Sequence, residues 1–323
     1  MNEVRLPGSA RKTSQLAIGT SRLMGATSMR ASLALLEAAF EAGIRHVDTA
    51  PSYGVGEAER CLGEFLKRHR GAVTVTTKYG ISAPKNPGLL RVARMLVRPV
   101  IARSGAIKRK LQHAMAQTHT SSRPTLNVAD AREALENSLR VLGMEHIDIW
   151  LLHEARAEDL DDDLLGFLEE SVRAGKVGAF GVGSESSKVA AVYEKRREFC
   201  PVVQCEWNPL AGNDPYPGTF RVHHSVVREW EPLLSSRMKA EPELAARWSA
   251  QVGVDLMAPG RVAGLLLRVA TLANPAGVTL FSSKKAENVA MNVQIAEDAG
   301  METPAMRLRE LILQNSSMIQ PLA

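Results

Sequence analysis

The sequence lacks several features that would announce a function. Cysteine is scarce, with Cys61, Cys200 and Cys205 the only three in 323 residues. Their spacing matches no zinc pattern and three make a poor disulfide framework, so incidental thiols in a reducing compartment are expected. No stretch approaches the roughly 20 consecutive apolar residues of a membrane helix. The opening MNEVRLPGSARKTSQLAIG has no apolar segment fit for a signal peptide, and the expected location is the cytoplasm. No G-x-G-x-x-G turn follows the first apolar run, which continues IGTSRLMG. That counts against a doubly wound dinucleotide fold. Acidic residues are missing altogether between Glu64 and Asp130, and aromatic residues between Tyr79 and Trp150.

The acid-free stretch gives the charge its pattern. Net charge is +5, yet residues 81–129 carry nine basic residues: Lys85, Arg91, Arg94, Arg98, Arg103, Lys108, Arg109, Lys110 and Arg123. The rest of the chain therefore sums to 5 − 9 = −4. A block of one sign fits an anionic substrate or a solvated surface insertion. Without aromatic residues it offers no platform for base stacking, so no nucleic-acid partner is expected. Apolar residues at 45% and charged residues at 23% are ordinary for a globular chain.

Eight short β-rich runs follow one another: 15–19, 44–50, 72–78, 147–153, 177–184, 202–208, 220–224 and 277–283. Between most of them lie helical patterns. Those at 28–43, 127–143 and 160–175 end on Gly43, Gly143 and Gly175, suited to helix C-termini. Strand and helix alternating eight times predict a single-domain (β/α)8 barrel of class α/β, with its core over 15–297, an enlarged basic insertion at about 81–126 after the third strand, and a tail from 298 to 323. Residues 226–253 read as a helical pair outside the barrel, and 261–274 as the helix before the eighth strand.

A barrel places its chemistry at the C-terminal ends of its strands. Asp48 and Tyr53 lie at and just after the second such end, Lys78 at the third and His153 at the fourth. Neighbouring strands are about 5 Å apart, so these groups can converge. A phenol near pKa 10 is a poor acid at neutral pH. A neighbouring ammonium lowers that value. In this reading Asp48 holds Lys78, Lys78 acidifies Tyr53, and Tyr53 gives a proton to a substrate oxygen that His153 orients. The set suits carbonyl reduction with hydride from a cofactor. No metal is required.

On these residues the chain resembles the aldo-keto reductase superfamily. GIRHVDTAPSYGVGEAERCLGEFL is similar to its aspartate–tyrosine segment, VTVTTKYG to its lysine strand and LGMEHIDIWLLHEA to its histidine strand. GKVGAFGVGSES, VVQCEWNPL and VTLFSSKKAENVAMNV are similar to its fifth, sixth and last strand segments. The resemblance implies a barrel that binds NADPH or NADH without a Rossmann domain. It places Asp48, Tyr53, Lys78 and His153 in the catalytic tetrad. It places Ser184 and Gln204 on the nicotinamide carboxamide, and Gly19 and Thr20 near the nicotinamide. Ser282, Ser283 and Lys284 fall on the phosphate, and Asn288 and Asn292 on the adenine. Lys284 and Lys285 favour NADP over NAD, and SSKK before a helical pattern suits a phosphate at a helix N-terminus.

Three departures stand out. The fifth strand ends in Gly183 and Ser184, where many members carry serine and asparagine. Lys78 and His153 are 75 positions apart because of the basic block, read as a lid or specificity loop. The seventh strand, FRVHHSV, puts His223 or His224, followed by Ser225, where an aromatic residue usually stacks on the nicotinamide. Trp207 can contribute to the pocket or to the core. The leading expectation is an NADP-dependent oxidoreductase acting on an aldehyde, ketone, sugar or alcohol, with the basic block favouring an anionic one. An NADP-binding regulatory protein and a phosphate-substrate isomerase or aldolase are the competing classes. The loops leave the substrate open, and nothing in the sequence specifies an oligomeric state.

Overall fold

A computed structural model describes residues 1–24, 27–81, 126–212, 214–316 and 319. The expected basic insertion therefore lies almost wholly outside the described residues, as does the end of the expected tail.

Eight parallel strands close into a barrel. They are β3 (Leu16–Gly19), β4 (His46–Asp48), β5 (Thr74–Tyr79), β6 (Ile147–His153), β7 (Val177–Gly183), β8 (Val202–Glu206), β9 (Phe220–His224) and β10 (Val278–Phe281). β10 pairs with β3 to complete the ring. Each falls within one of the eight apolar runs, except that β5 runs one residue further. Both faces of a barrel strand are covered, which is why even the polar side chains of β4 and β5 are buried.

Alternation along each strand decides which side chains see the interior. Ala17, Ile149, Leu151, Ala179, Val202, Val222, Val278 and Leu280 fill the barrel as one buried cluster. Their neighbours Leu16, Ile18, Val47, Val75, Trp150 and Val203 face the helices in a second, larger cluster. By the same alternation, Asp48, Lys78, His153, Gln204 and His224 continue the inward rows at the C-terminal strand ends.

The helices of the described residues are α1 (Met29–Glu41), α2 (Ala58–His69), α3 (Val128–Leu142), α4 (Asp162–Arg173), α5 (Ser186–Lys195), α6 (Trp230–Ala240), α7 (Pro242–Val252), α8 (Arg261–Leu272), α9 (Ala286–Glu297) and α10 (Glu302–Gln314). Polar side chains set the starts of α1, α3 and α4. Ser28, Asn127 and Asp161 accept from the backbone N–H groups of Ala31, Asp130 and Leu164. Gly143 closes α3 in the left-handed region, while Gly43 and Gly175 sit one residue beyond the caps Ala42 and Ala174. Between β8 and β9 the described residues form no helix, and three helices, α6 to α8, separate β9 from β10. No helix of the described residues is long and apolar enough to cross a membrane.

One element had no sequence signal. A hairpin of β1 (Glu3–Arg5) and β2 (Lys12–Ser14) sits before the barrel, each strand only three residues long. Its Val4 and Leu6 join the interior cluster and close the barrel at the end away from the strand C-termini. Leu6→Ala is expected to destabilise the fold by about 2–5 kcal/mol. Denaturant midpoints check this, and turnover per folded molecule stays unchanged.

Candidate active site

At the C-terminal mouth of the barrel the inward rows become polar. Lys78 Nζ lies 2.7 Å from both Asp48 carboxylate oxygens and donates to the Thr49 carbonyl at 3.0 Å. The pair is almost sealed, with side-chain exposures of 1% and 4%. Gln204 Nε2, from the far side of the ring, donates to Asp48 Oδ2 at 2.7 Å.

Tyr53 reaches this pair from a short helical turn above β4. Residues Gly54, Val55 and Gly56 all have positive φ, at 60°, 65° and 84°. At Gly54 a Cβ would lie 2.7 Å from the Leu23 carbonyl, so only glycine fits the turn that presents Tyr53. The Lys78 ammonium sits 5.0 Å from the centre of the Tyr53 ring. The His153 ring meets Tyr53 edge to face, with centroids 5.9 Å apart. The structure thus brings the four expected tetrad residues together.

The electrostatics differ from the sequence expectation. Burial raises the Tyr53 pKa, and the pull of the Lys78 charge downward does not overcome it, with Asp48 pushing up as well. The expected acidified phenol is therefore corrected. Tyr53 is held protonated, because desolvation of a phenolate outweighs one cation already shared with Asp48. Burial alone would discharge Lys78, but Asp48 and Tyr53 reverse this and its pKa is raised. Burial, followed by the Lys78 charge, lowers His153 to about 3, so its ring is neutral at working pH.

Other expected contacts are placed as follows. Ser184 Oγ and His153 Nδ1 are buried and find no hydrogen-bond partner among the described residues, an unsatisfied pair fit for a polar ligand. Thr20 is fully buried, its hydroxyl donating to that of Thr49 at 2.9 Å. Ser282 Oγ donates to the Gly19 carbonyl at 3.0 Å, tying β10 to β3. Ser283 Oγ accepts from Lys285 N at 3.1 Å just before α9, which has no side-chain cap. Lys284 and Asn288 are exposed near that N-terminus, and Asn292 is buried one turn beyond Asn288. His224 takes the inward position on β9, with Nδ1 2.9 Å from Ser225 Oγ. His223 points outward, stacked on Trp207 with centroids 6.0 Å apart. Trp207 thus belongs to the outer core and is not gathered with the tetrad.

Glu154 went unnoticed in the sequence. It follows His153, adopts a left-handed φ of 60°, and pairs with Lys188 of α5. Its charge is felt at Tyr53. Its place directly after a strand-end histidine was the available signal, whereas Lys188 offered none. The three thiols are free and buried, and burial pushes Cys61 to about 11 and Cys200 and Cys205 to about 12.

Four histidines, His46 and His223 buried and His153 and His224 half-buried, make acid stability a test of this packing. Burial lowers His46, His153 and His223 to about 3 and His224 to about 4, from an ordinary 6.5. Below 6.5 the unfolded chain holds protons that the folded chain refuses. Stability is complete above that value and falls as pH drops toward the folded values, by up to about 1.4 kcal/mol per pH unit per histidine. Glu59 and Asp148, raised by burial, act in the opposite sense. His46 bridges the Thr74 and Thr76 hydroxyls inside the barrel. His46→Gln should therefore flatten the loss of unfolding free energy between roughly pH 6 and pH 4 by about 1.4 kcal/mol per unit. An unchanged slope contradicts the buried neutral ring.

Comparison with known proteins fits this geometry. The profile described as the aldo/keto reductase family matches residues 15–243, from β3 to the start of α7. The chain belongs to the aldo/keto reductase family. Among curated members, D-threo-aldose 1-dehydrogenase of a Pseudomonas species is 35% identical over 172 residues, 52% of this chain and 48% of that protein. The NADP(+) aldo-keto reductase yakc of Schizosaccharomyces pombe is 26% identical over 201 residues, 60% of this chain and 48% of that protein. The chain thus spans about half the length of these two aldo/keto reductases. Among solved structures, a glycerol dehydrogenase of Gluconobacter oxydans superposes with a TM-score of 0.69 at 19% identity, covering 99% of this chain and 97% of that one, a likeness of fold.

Proposed function

We propose that this aldo/keto reductase is a nicotinamide-dependent oxidoreductase that reduces an aldehyde or ketone to an alcohol, or runs the reverse reaction. The observation that carries the reading is the sealed Lys78–Asp48 pair beside Tyr53 and a neutral His153. The unpartnered Ser184 hydroxyl and the uncapped start of α9 suit a nicotinamide dinucleotide. Ser184 would meet the carboxamide, Ser283, Lys284 and the N–H groups of α9 the phosphates, and Asn288 and Asn292 the adenosine end. When bound, the cofactor supplies the hydride.

The chain's own groups handle the proton. Tyr53, kept protonated by burial, donates to the carbonyl oxygen as negative charge develops there. Lys78 then stabilises the phenolate, which is why its charge must be retained. His153, neutral and braced against Tyr53, orients the substrate oxygen. A sugar or other polyhydroxy carbonyl is the substrate class we favour, supported by the aldose named for one relative. NADP is favoured over NAD by the exposed Lys284 and by the cofactor named for another.

The test is a panel of aldoses, hydroxyketones and acid-bearing aldehydes followed by NADPH and NADH absorbance. Turnover of polyhydroxy carbonyls is expected, and no turnover of any carbonyl overturns the reading. Lys284→Met is expected to raise the KM for NADPH roughly five-fold while leaving that for NADH unchanged, the size of one exposed charge contact. Equal effects on both cofactors remove Lys284 from the 2′-phosphate.

A further inference from the structure

The ring order places β4 and β8 on opposite sides of the barrel, with three strands between them either way. The Gln204–Asp48 hydrogen bond, 2.7 Å long and buried, therefore spans the barrel mouth. A carboxylate only accepts, so the chemistry of Asp48 fixes the amide: Nε2 toward Asp48 and Oε1 away from it. Gly183 leaves room for that orientation, since a Cβ there would lie 3.0 Å from Gln204 Oε1. Gln204 is held besides by its own backbone carbonyl, which accepts from Ser184 N at 3.3 Å.

We propose that Gln204 is a positioning residue that acts on Tyr53 through Asp48 and Lys78. This rests on the reading of Tyr53 as proton donor. Asp48 Oδ2 is shared between Lys78 and Gln204, each at 2.7 Å. The amide holds the carboxylate in the plane that faces both its partners and neutralises part of its charge. Less of the Lys78 field is then consumed by Asp48, and more of it reaches the phenol. Without the amide, the carboxylate is compensated by Lys78 alone and makes the surroundings of Tyr53 more negative. The strut also means that the strand carrying one wall of the pocket reports directly to the acid that holds Lys78.

The experiment is an ultraviolet difference titration of the Tyr53 phenolate, with Tyr53→Phe as the blank, in the wild type, Gln204→Met and Gln204→Glu. Phenolate formation is expected to move upward by about one pH unit in Gln204→Met, the size of a lost charge-assisted hydrogen bond. It is expected to move further in Gln204→Glu, which sets a second carboxylate beside the first. In the same Met variant kcat for carbonyl reduction falls about tenfold. A residue that serves only a ligand would change cofactor affinity and leave the titration where it was, and that result overturns the proposal. If Gln204→Met does not fold, Gln204→Asn, which withdraws the donor by one methylene, must show the same upward movement. The titration needs no turnover. An inactive wild type therefore counts against the oxidoreductase reading, while an unmoved phenolate counts against this strut.

Discussion

Tyr53→Phe is expected to lower kcat for carbonyl reduction by roughly 10²–10⁴-fold, the span of a lost general acid, and to leave the dissociation constant for NADPH unchanged. The ring stays, so its edge-to-face contact with His153 and its place over the Lys78 ammonium are retained. Only the proton is removed. Because burial holds the hydroxyl protonated, the proton to be donated is already in place in the proposed reading. Stopped-flow rates and tryptophan quenching by NADPH separate the two quantities. Normal turnover in the variant removes Tyr53 as the donor. A large fall in cofactor affinity shows instead that the phenol holds the ligand.

Lys78→Met is expected to cost both stability and activity. It leaves the Asp48 carboxylate buried with the Gln204 amide and no cation, a situation that typically costs about 3–5 kcal/mol. Adding Asp48→Asn removes the stranded charge, so the double variant should recover most of that loss, a coupling between neighbours that denaturant midpoints measure. Activity should not return, because no cation remains to stabilise the Tyr53 phenolate. Recovery of turnover in the double variant would mean that the pair only supports the fold. Additive losses would mean that the two side chains do not depend on one another.

Asp48, Lys78 and His153 were legible as ionisable side chains ending apolar runs, and Gln204 only through the family resemblance; strict alternation in a barrel turns all four inward. Asp48, Lys78, His153 and Gln204 each continue a row that begins with residues facing the interior. The same rule separates His224 from His223, once the register of β9 is known. The link from Gln204 to Asp48 was not legible, since it joins strand ends 156 residues apart across the ring. The charge state of Tyr53 was misread for a related reason. Spacing shows that a lysine is near, but not how much water both groups lose or how far Asp48 has claimed the lysine first. The hairpin β1–β2 escaped because Glu3–Arg5 and Lys12–Ser14 are too short to show a period. Glu154 directly follows His153, but its left-handed backbone and its pairing with Lys188 show only in three dimensions.

The most direct test of the account is a single turnover with NADPH deuterated at the transferring C4 position and an aldose or hydroxyketone substrate, with the alcohol product weighed by mass spectrometry. The account predicts one deuterium on the carbon that was the carbonyl carbon, formed rapidly by the wild type and not by Tyr53→Phe. A product without deuterium, or equal labelling by the two proteins, would contradict it.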